Sequence, residues 1–292
     1  MIIATTITEV REHVRAWKQQ GLTIGLVPTM GYLHEGHASL VDMASSMCDK
    51  VVVSDFVNPT QFAPGDDLEA YPRDFGHDCE ILKEHSCDMV FYPSVDEMYP
   101  DGNDKTDTYV DIFNDMTSQL CGKSRPGHFR GVCTVVSKLF NIVTPDKAFF
   151  GEKDAQQLAV IRRMARDMSY GIEIIGCPIV REPDGLAKSS RNTYLDPAQR
   201  QAAQVLYKAL QEGKAAISSG ETDSAKIISI IQNIIDSEPM AVTDYISVVD
   251  GLTMMPAAKI SDGTLIALAV YIGKTRLIDN FTYHSTGLHN TF

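Results

Sequence analysis

Apolar positions in the first 180 residues of the chain follow two alternating spacings. Continuous apolar runs of strand length lie at 22–27, 50–57, 88–93, 147–151 and 172–180. Helical spacing separates them and predicts a first helix near His34 or Gly36, with others at 74–85, 131–143 and 154–168. Repeated strand–helix–strand units favour a parallel sheet with helices on both faces. The pattern therefore predicts an α/β fold with a Rossmann-like, doubly wound parallel sheet over residues 1–181.

The pattern changes after a loop near residue 182 that is rich in proline, glycine and charge. Two helical segments follow at 197–219 and 222–237, and then strand-like runs around 242–249, 264–270 and 275–279. Helices grouped before strands are typical of an α+β fold. We therefore expect a smaller α+β domain over residues 182–292.

Length and hydropathy place the chain among globular proteins with two domains. It has 292 residues, and a domain averages about 150 residues. Its longest apolar run, residues 265–272, is shorter than the roughly 20 residues that span a membrane. The amino terminus lacks the basic leader and apolar core of a secretory signal. We therefore expect a cytoplasmic protein that does not bind a membrane.

Charge and cysteine content disfavour two further classes of protein. The net charge of -12 argues against a nucleic-acid partner, because a phosphate backbone requires a basic face. The six cysteines include no CxxC pair, which argues against a zinc site or a disulfide framework. An anionic small substrate would therefore need a local basic pocket in this acidic chain.

The segment PTMGYLHEGH, residues 28–37, follows the strand predicted at 22–27. Its proline and glycine predict a tight turn, after which a helix begins with free N–H groups that attract anions. His34 and His37 would lie on one side of the first turn, where each can donate a hydrogen bond or, when protonated, a positive charge to a phosphate. A single histidine there is more simply a cap or an exposed residue. The pair, at the C-terminal edge of a parallel sheet, favours a functional site.

Two further segments have side chains that suit an anionic substrate. Asn58 and Gln61 are neutral amides that suit hydroxyl and carboxylate groups, although an ordinary Asn-Pro turn has the same sequence. Four basic or titratable side chains precede the helix at 131–143, namely Lys123, Arg125, His128 and Arg130. They suit an anion pocket or a solvated basic loop.

Two later segments add cations and hydroxyl groups. In GEKDAQQ, Gly151 permits close backbone approach, Lys153 offers charge to a phosphate, and Asp154 caps the helix or binds a ribose hydroxyl. Gln157 lies one turn further on. The LAKSSRN segment, residues 186–192, brings two cations and two hydroxyls to the loop between the domains. Such a loop suits closure over a triphosphate, and a polar linker would look similar.

The order of these segments resembles a known enzyme family. A histidine pair around one glycine and a late Lys-Ser-Ser-Arg loop resemble adenylate-forming nucleotidyltransferases related to class I aminoacyl-tRNA synthetases. The segments MGYLHEGH, NPTQF, YPRDF, RPGHFRG, GEKDAQQL and SSRNTYL narrow the resemblance to the pantothenate synthetase (pantoate–β-alanine ligase) family. The resemblance covers essentially the whole chain. It implies that pantoate and ATP form pantoyl adenylate and pyrophosphate, and that β-alanine then displaces AMP to give pantothenate.

The resemblance also assigns residues to the site by position. It implies ATP contacts at Met30, Gly31, Tyr32, Leu33, His34, Glu35, Gly36, His37, Gly151, Glu152, Lys153, Asp154, Val180, Lys188, Ser189, Ser190 and Arg191. It implies pantoate or β-alanine contacts at Gln61, Gln157, Asn58, Tyr71 and Arg130. Asp78 is the implied carboxylate beside Mg²⁺, which would accompany ATP. A homodimer and a C-terminal domain that closes over the site are further implications.

Growing negative charge on the phosphate oxygens requires fixed cations and N–H donors. The residues expected to supply them are His34, His37, Lys153, Ser189 and Arg191. Lys188 departs from the family pattern, in which methionine precedes the two serines; its charge would bind phosphate or point into solvent. No residue stands out as a base for the β-alanine amine, which needs only positioning beside an acyl adenylate.

Two alternative functions are weighed against this one. A related nucleotidyltransferase with a phosphorylated acceptor would need more cations and would lack the amide pair of Gln61 and Gln157. A catalytically inactive nucleotide-binding or tRNA-binding module is disfavoured by the acidic charge and by the intact histidines and Lys153.

Overall fold

The structure, a computed structural model, describes residues 1–63, 65–102 and 106–285. Its larger sheet has six parallel strands in the spatial order β1-β4-β3-β2-β5-β6. The strands are β1 (Ile2–Ala4), β2 (Ile24–Thr29), β3 (Lys50–Asp55), β4 (Met89–Phe91), β5 (Lys147–Gly151) and β6 (Glu173–Cys177). The prediction of a doubly wound parallel sheet is therefore confirmed.

Helices cover both faces of this sheet. They are α1 (Ile7–Gln19), α2 (Glu35–Met47), α3 (Phe75–Glu84), α4 (Val95–Met98), α5 (Leu120–Ser124), α6 (His128–Val143) and α7 (Ala155–Asp167). Apolar side chains of α1, α6 and α7 form one core against the sheet, and those of α2 and α3 form a second core on the opposite face. Burial on both faces explains why the central strands are continuous apolar runs.

The amino terminus holds two elements that the apolar pattern did not predict. Strand β1 has only three residues and an exposed Ile3, so its apolar run is too short to indicate a strand. Helix α1 buries only Val10 and Val14 of its 13 residues. Its start does have a local signal, because the Thr6 side chain accepts the Glu9 N–H and the Glu9 carboxylate accepts the Thr6 N–H.

The C-terminal region forms a separate three-stranded antiparallel sheet in the order β7-β8-β9. Its elements are α8 (Pro197–Ala202), α9 (Gln204–Ser218), α10 (Ser224–Asp236), β7 (Ala241–Asp250), β8 (Thr264–Ile272) and β9 (Thr275–Tyr283). The single helix expected at 197–219 is two helices, which meet at Ala203. Residues 286–292 of the expected second domain lie outside the described residues.

Strand order determines where a ligand can bind in the larger sheet. Strand β2 is central and pairs with β3 on one side and β5 on the other, so the chain reverses its direction of sheet growth between β2 and β5. Ligands of open α/β sheets bind beyond the C-terminal ends of the strands at such a reversal. The HEGH segment follows β2 and the GEKD segment follows β5, so both lie at this crevice.

The described residues also bear on membrane helices and on the cysteines. No helix among them is long and apolar enough to cross a membrane. All six cysteines lie within the described ranges as free thiols, and four of them are buried. The interpretation of most cysteines as small core residues is therefore confirmed.

Candidate active site

A cavity of about 220 Å³ lies at the crevice between β2 and β5. The sequence-predicted residues that line it are Met30, His34, Gly36, His37, Asn58, Gln61, Tyr71, Gly151, Lys153, Asp154, Gln157, Val180, Lys188, Ser189, Ser190 and Arg191. Segments from both halves of the chain therefore meet in one place. Those that do not line it are Gly31, Tyr32, Leu33, Glu35, Asp78, Arg130 and Glu152.

The two histidines at the start of α2 have defined tautomers. His34 is the N-cap of α2, and its Nδ1 accepts the Gly36 N–H at 3.0 Å. Nδ1 of His37 accepts the His34 N–H at 3.3 Å. Because Nδ1 is an acceptor in both rings, the proton of each neutral imidazole is on Nε2. The rings pack with centroids 4.1 Å apart, and both line the cavity.

Both histidines are neutral in this environment. Burial, with the positive charge of Lys153, lowers the pKa of His34 to about 4. Burial, with His34 and Lys153, lowers the pKa of His37 well below its usual value. Of the two roles expected of these histidines, the lowered pKa values favour hydrogen-bond donation, and Lys153 is the nearby charge.

The turn before His34 rests on a buried carboxyl group. Gly31 has a φ of 75°, and a Cβ there would lie 2.3 Å from Oδ1 of Asp55, so only glycine fits. The N–H groups of Tyr32 and Leu33 donate to the Asp78 carboxylate at 2.8 and 2.6 Å. Asp55 and Asp78 therefore contact the turn, and Gly31, Tyr32 and Leu33 face these carboxyl groups rather than the cavity.

Asp78 does not have the surroundings of a metal ligand. It is 1% exposed, and each of its oxygens already accepts a backbone N–H. Its neighbour Asp55 was not singled out from the sequence, and burial together with the Asp78 charge raises the pKa of Asp55 to about 7. Two carboxyl groups this close do not both ionise readily. These contacts do not support the assignment of Asp78 to Mg²⁺, and the pair instead supports the turn that leads to His34.

The amide pair at the end of β3 is held by protein groups. Nδ2 of Asn58 donates to Oε1 of Gln61 at 3.2 Å, and the Asn58 oxygen accepts the Tyr99 hydroxyl at 2.7 Å. The Gln61 NH₂ group contacts only the Met30 sulfur, at 2.9 Å, among the described residues. Because sulfur is a weak acceptor, Gln61 retains donor capacity toward the cavity. Asn58 orients Gln61 by occupying its oxygen.

Helix α6 supplies an apolar wall that the sequence analysis did not identify. The cavity is lined on this side by Val132, Val135, Val136 and Leu139. Their spacing places them on one face of the helix. Nearly all of α6 is buried, so the sequence pattern does not distinguish these cavity-lining residues from the core residues of the helix. The cavity is therefore lined by an apolar surface of α6 as well as by polar residues.

The basic segment before α6 divides into residues inside and outside the site. Arg125 and His128 line the cavity. Arg125 binds the Asp66 carboxylate at 2.8 Å, and Nδ1 of His128 donates to the Gln61 carbonyl at 2.7 Å. The side chain of Arg130 lies over the Tyr109 ring, 5.0 Å from its centroid. Arg130 does not line the cavity, so the structure does not support its assignment to substrate.

Lys153 lies in a short 3₁₀ turn, Glu152–Asp154, between β5 and α7. Among the described residues, the carboxylate nearest to its Nζ is that of Asp154, at 3.9 Å, beyond hydrogen-bond distance. Asp154 is the N-cap residue of α7, as expected, but its side chain accepts no helix N–H. Both side chains line the cavity and retain capacity for a ligand.

The loop at residues 186–192 presents cations that are already paired. Lys188 has a side chain that is 16% exposed, and its Nζ lies 2.8 Å from the Glu35 carboxylate and 3.3 Å from that of Glu182. Arg191 binds Asp67 through two nitrogens, at 3.0 and 2.8 Å. The open question about Lys188 is thus answered for this structure, since its charge is directed to two carboxylates.

Comparisons with known proteins agree with this geometry. A family model described as pantoate-beta-alanine ligase matches residues 2–282. A pantothenate synthetase from Enterococcus faecalis is 56% identical over 283 residues, which cover 97% of this chain and 99% of that protein. A pantothenate synthetase from Clostridium acetobutylicum is 53% identical over 284 residues, with 97% of this chain and 100% of that protein covered.

Solved structures give the same result. A pantothenate synthetase from Thermus thermophilus superposes with a TM-score of 0.90 at 41% identity, covering 97% of this chain and 100% of that one. A pantoate-beta-alanine ligase from Francisella tularensis, complexed with beta-gamma ATP and beta-alanine, has a TM-score of 0.80 at 38% identity and 97% coverage of both chains. The sequence-based predictions of family, fold class and ligase activity are therefore confirmed. The chain belongs to the pantoate–β-alanine ligase family.

Proposed function

We propose that this cavity binds ATP and pantoate, forms pantoyl adenylate, and passes the pantoyl group to β-alanine. One observation supports it most: His34, His37, Lys153 and Gln61 meet in the crevice between β2 and β5. The histidines offer neutral Nε2–H donors, and Gln61 offers an amide donor. Lys153 has no carboxylate at hydrogen-bond distance among the described residues. Fixed donors and a cation in this arrangement suit an anion whose negative charge grows during the reaction.

The shape of the cavity suits pantoate on the side of α6. Pantoate has two methyl groups on one carbon, and Val132, Val135, Val136 and Leu139 offer an apolar surface for them. Its hydroxyl and carboxylate groups need donors and acceptors, which Gln61 and Gln157, in the same cavity, supply. Tyr71 also lines the cavity. This arrangement would favour a branched hydroxy acid over an unbranched one.

In the first half-reaction, a pantoate carboxylate oxygen attacks the α-phosphorus of ATP, and the bond to the pyrophosphate oxygen breaks. Charge grows on the phosphate oxygens as pyrophosphate leaves. We assign stabilisation of that charge to the Nε2–H groups of His34 and His37 and to the Lys153 ammonium. Because these donors are held in place before ATP binds, they need no reorganisation during the reaction.

The loop residues Ser189, Ser190 and Arg191 contribute later in this scheme. Arg191 is bound to Asp67, so it must exchange that carboxylate for a phosphate before it can act on ATP. The Ser189 hydroxyl accepts the backbone N–H of Arg191 at 3.3 Å and so caps the short 3₁₀ turn at Ser190–Tyr194. We assign closure over the phosphates to this loop.

In the second half-reaction, the β-alanine amine attacks the pantoyl carbonyl carbon, and the bond to AMP breaks. The buried histidines are already neutral, and His34 can accept a proton only with a pKa of about 4, so it is a poor base for an ammonium product. A neutral amine held beside the mixed anhydride needs positioning rather than a strong base. Binding in the correct geometry is therefore the main contribution of the protein to this step.

Mg²⁺ is expected with ATP, and the residues here do not fit a protein-only site for it. Among the described ranges, no group of three or more histidine, cysteine or acidic side chains could hold a metal ion. Asp78 is buried with both oxygens occupied. Mg²⁺ commonly keeps waters and binds mainly through substrate phosphates, so we assign no protein ligand to it. A homodimer and a cytoplasmic location stay predictions.

The purified protein tests this function directly. ATP and pantoate are supplied in a magnesium buffer, with and without β-alanine, and pyrophosphate, AMP and pantothenate are measured. Pyrophosphate release that depends on pantoate, with free AMP and pantothenate appearing only after β-alanine is added, is the expected result. No pantoate-dependent pyrophosphate, from a protein that still binds ATP, would contradict the proposal and direct the search to other acceptors.

A further inference from the structure

Asn280 connects the C-terminal sheet to the turn that carries Lys153. It lies on β9 and is 5% exposed. Its Nδ2 donates to the Glu152 carbonyl at 3.1 Å and to the Lys153 carbonyl at 2.9 Å. Both N–H bonds of this amide are therefore used on two successive peptide groups of the 3₁₀ turn.

The position of Asn280 is itself fixed by the preceding residue. Asp279 is 1% exposed and binds the Arg181 guanidinium at 2.6 and 2.9 Å. Arg181 also donates to the Gly185 carbonyl, so this ion pair holds strand β9 against the loop between the domains. Because successive side chains of a strand point to opposite faces, Asp279 is bound on one side while Asn280 is directed to the other.

Within the described part of the chain, the turn has few other contacts that would position Lys153. Its N-cap is Gly151, which has no side chain, and Asp154 caps no N–H group. The Lys153 ammonium has no carboxylate within hydrogen-bond distance there. The direction of this side chain therefore depends on its backbone, and Asn280 binds that backbone from the C-terminal domain.

We propose that Asn280 is a positioning residue for adenylate formation, which acts by holding the Glu152–Lys153 backbone so that the Lys153 ammonium faces the phosphates. The inference rests on the proposed function and extends it. The C-terminal domain then contributes to the chemistry through a fixed contact, in addition to any closure over the site. A merely structural role would instead join the domains without affecting how Lys153 acts.

A double-mutant cycle separates these two roles. Pyrophosphate release in a single turnover with ATP and pantoate is measured for the wild type, Asn280→Ala, Lys153→Ala and the double variant. Asn280→Ala is expected to slow release about tenfold, since small displacements of catalytic groups have effects of this order or larger. In the Lys153→Ala background the same change is expected to have less than about a twofold effect, because residues that act as a unit are not additive. An equal effect in both backgrounds would overturn the proposal.

Further variants exclude a general loss of structure. Asn280→Ser keeps one short hydroxyl donor and is expected to recover part of the rate, whereas Asn233→Ala, at an exposed position of α10, is the matched control and should match the wild type. The pantoate KM of Asn280→Ala should stay within about twofold while kcat falls. A raised KM with unchanged kcat would overturn the positioning role. A wild type without pantoate-dependent release would instead contradict the proposed function.

Discussion

Two walls of the cavity differ in how their polar groups are held. The sheet wall consists of His34, His37 and Lys153, which follow strands of the parallel sheet. The loop wall consists of Lys188 and Arg191 in the loop at residues 186–192. On the sheet wall the histidines are neutral donors, and the lysine has no carboxylate within hydrogen-bond distance among the residues that the structure describes. On the loop wall both cations are bound to carboxylates of the protein itself.

This difference indicates which wall interacts with an anion first. A phosphate that approaches the sheet wall meets donors already in place. At the loop wall it must compete with Asp67 for Arg191, and with Glu35 and Glu182 for Lys188. Since a partly buried ion pair must be broken there, the net gain from each loop cation is smaller. The sheet wall is therefore expected to supply most of the transition-state stabilisation.

The largest effects should come from removing groups of the sheet wall. Lys153→Ala and His37→Ala are each expected to slow adenylate formation by roughly two to three orders of magnitude, as loss of a fixed transition-state donor does elsewhere. Single-turnover pyrophosphate release measures this step, and circular dichroism checks that the variants fold. Near wild-type adenylation by either variant would show that its assigned role is wrong.

The Arg191–Asp67 pair should give intermediate effects of opposite sign. Arg191→Ala is expected to slow adenylation by roughly tenfold, since Arg191 acts only after exchanging its partner. Asp67→Asn keeps the size of the side chain but removes the competing charge, so it is expected to lower the ATP KM by about threefold. Steady-state kinetics with ATP varied distinguishes the two. A higher ATP KM for Asp67→Asn would mean that Asp67 orients Arg191 rather than competing with the nucleotide.

Lys188 should contribute less than Arg191. Lys188→Met replaces a charge that is already shared by Glu35 and Glu182, so the ATP KM is expected to change by less than about threefold. The wild-type KM should also depend more on salt than that of the variant, because salt screens the ion pairs. Lys188→Arg serves as the control that keeps the charge. A loss of adenylation comparable to that of Lys153→Ala would contradict the distinction between the walls.

The smallest effect concerns pH. Because burial lowers the pKa of His34 to about 4, its ring stays neutral in the folded protein at every pH well above that value. Its contribution to stability is then complete above its ordinary pKa of about 6.5 and is lost as the pH falls through about 4. Protonation of His34 should therefore cause no fall in the adenylation rate with a midpoint near the ordinary histidine pKa of about 6.5. Such a midpoint in the wild type, absent from His34→Gln, would contradict the neutral assignment.

Local sequence signals predicted the central sheet and the position of the cavity. Apolar runs mark β2 to β6, and the Pro28 and Gly31 turn places the HEGH segment at a sheet edge. The same reasoning missed β1, whose pairing with β4 joins Ile2 to the distant Met89. The boundary between domains at residues 181 and 182 stays a prediction.

The contacts within the site that sequence reasoning missed share one physical cause. The roles of Asp78 and Arg130 depend on partners from distant segments, such as the N–H groups of the 32–33 turn and the Tyr109 ring. Asp55 is likewise a polar residue whose burial against Asp78 cannot be read from its neighbours in the chain. Residue type and spacing thus predicted which segments meet. They did not predict which charges the protein itself neutralises.

The exchange of labelled pyrophosphate into ATP tests the central claim most directly. It is measured with pantoate and without β-alanine, for the wild type, Lys153→Ala and Lys188→Met. The account predicts rapid pantoate-dependent exchange by the wild type and by Lys188→Met, and a loss of roughly two to three orders of magnitude in Lys153→Ala. Exchange that survives in Lys153→Ala but is lost in Lys188→Met would show that the loop wall carries the chemistry, and would contradict the account.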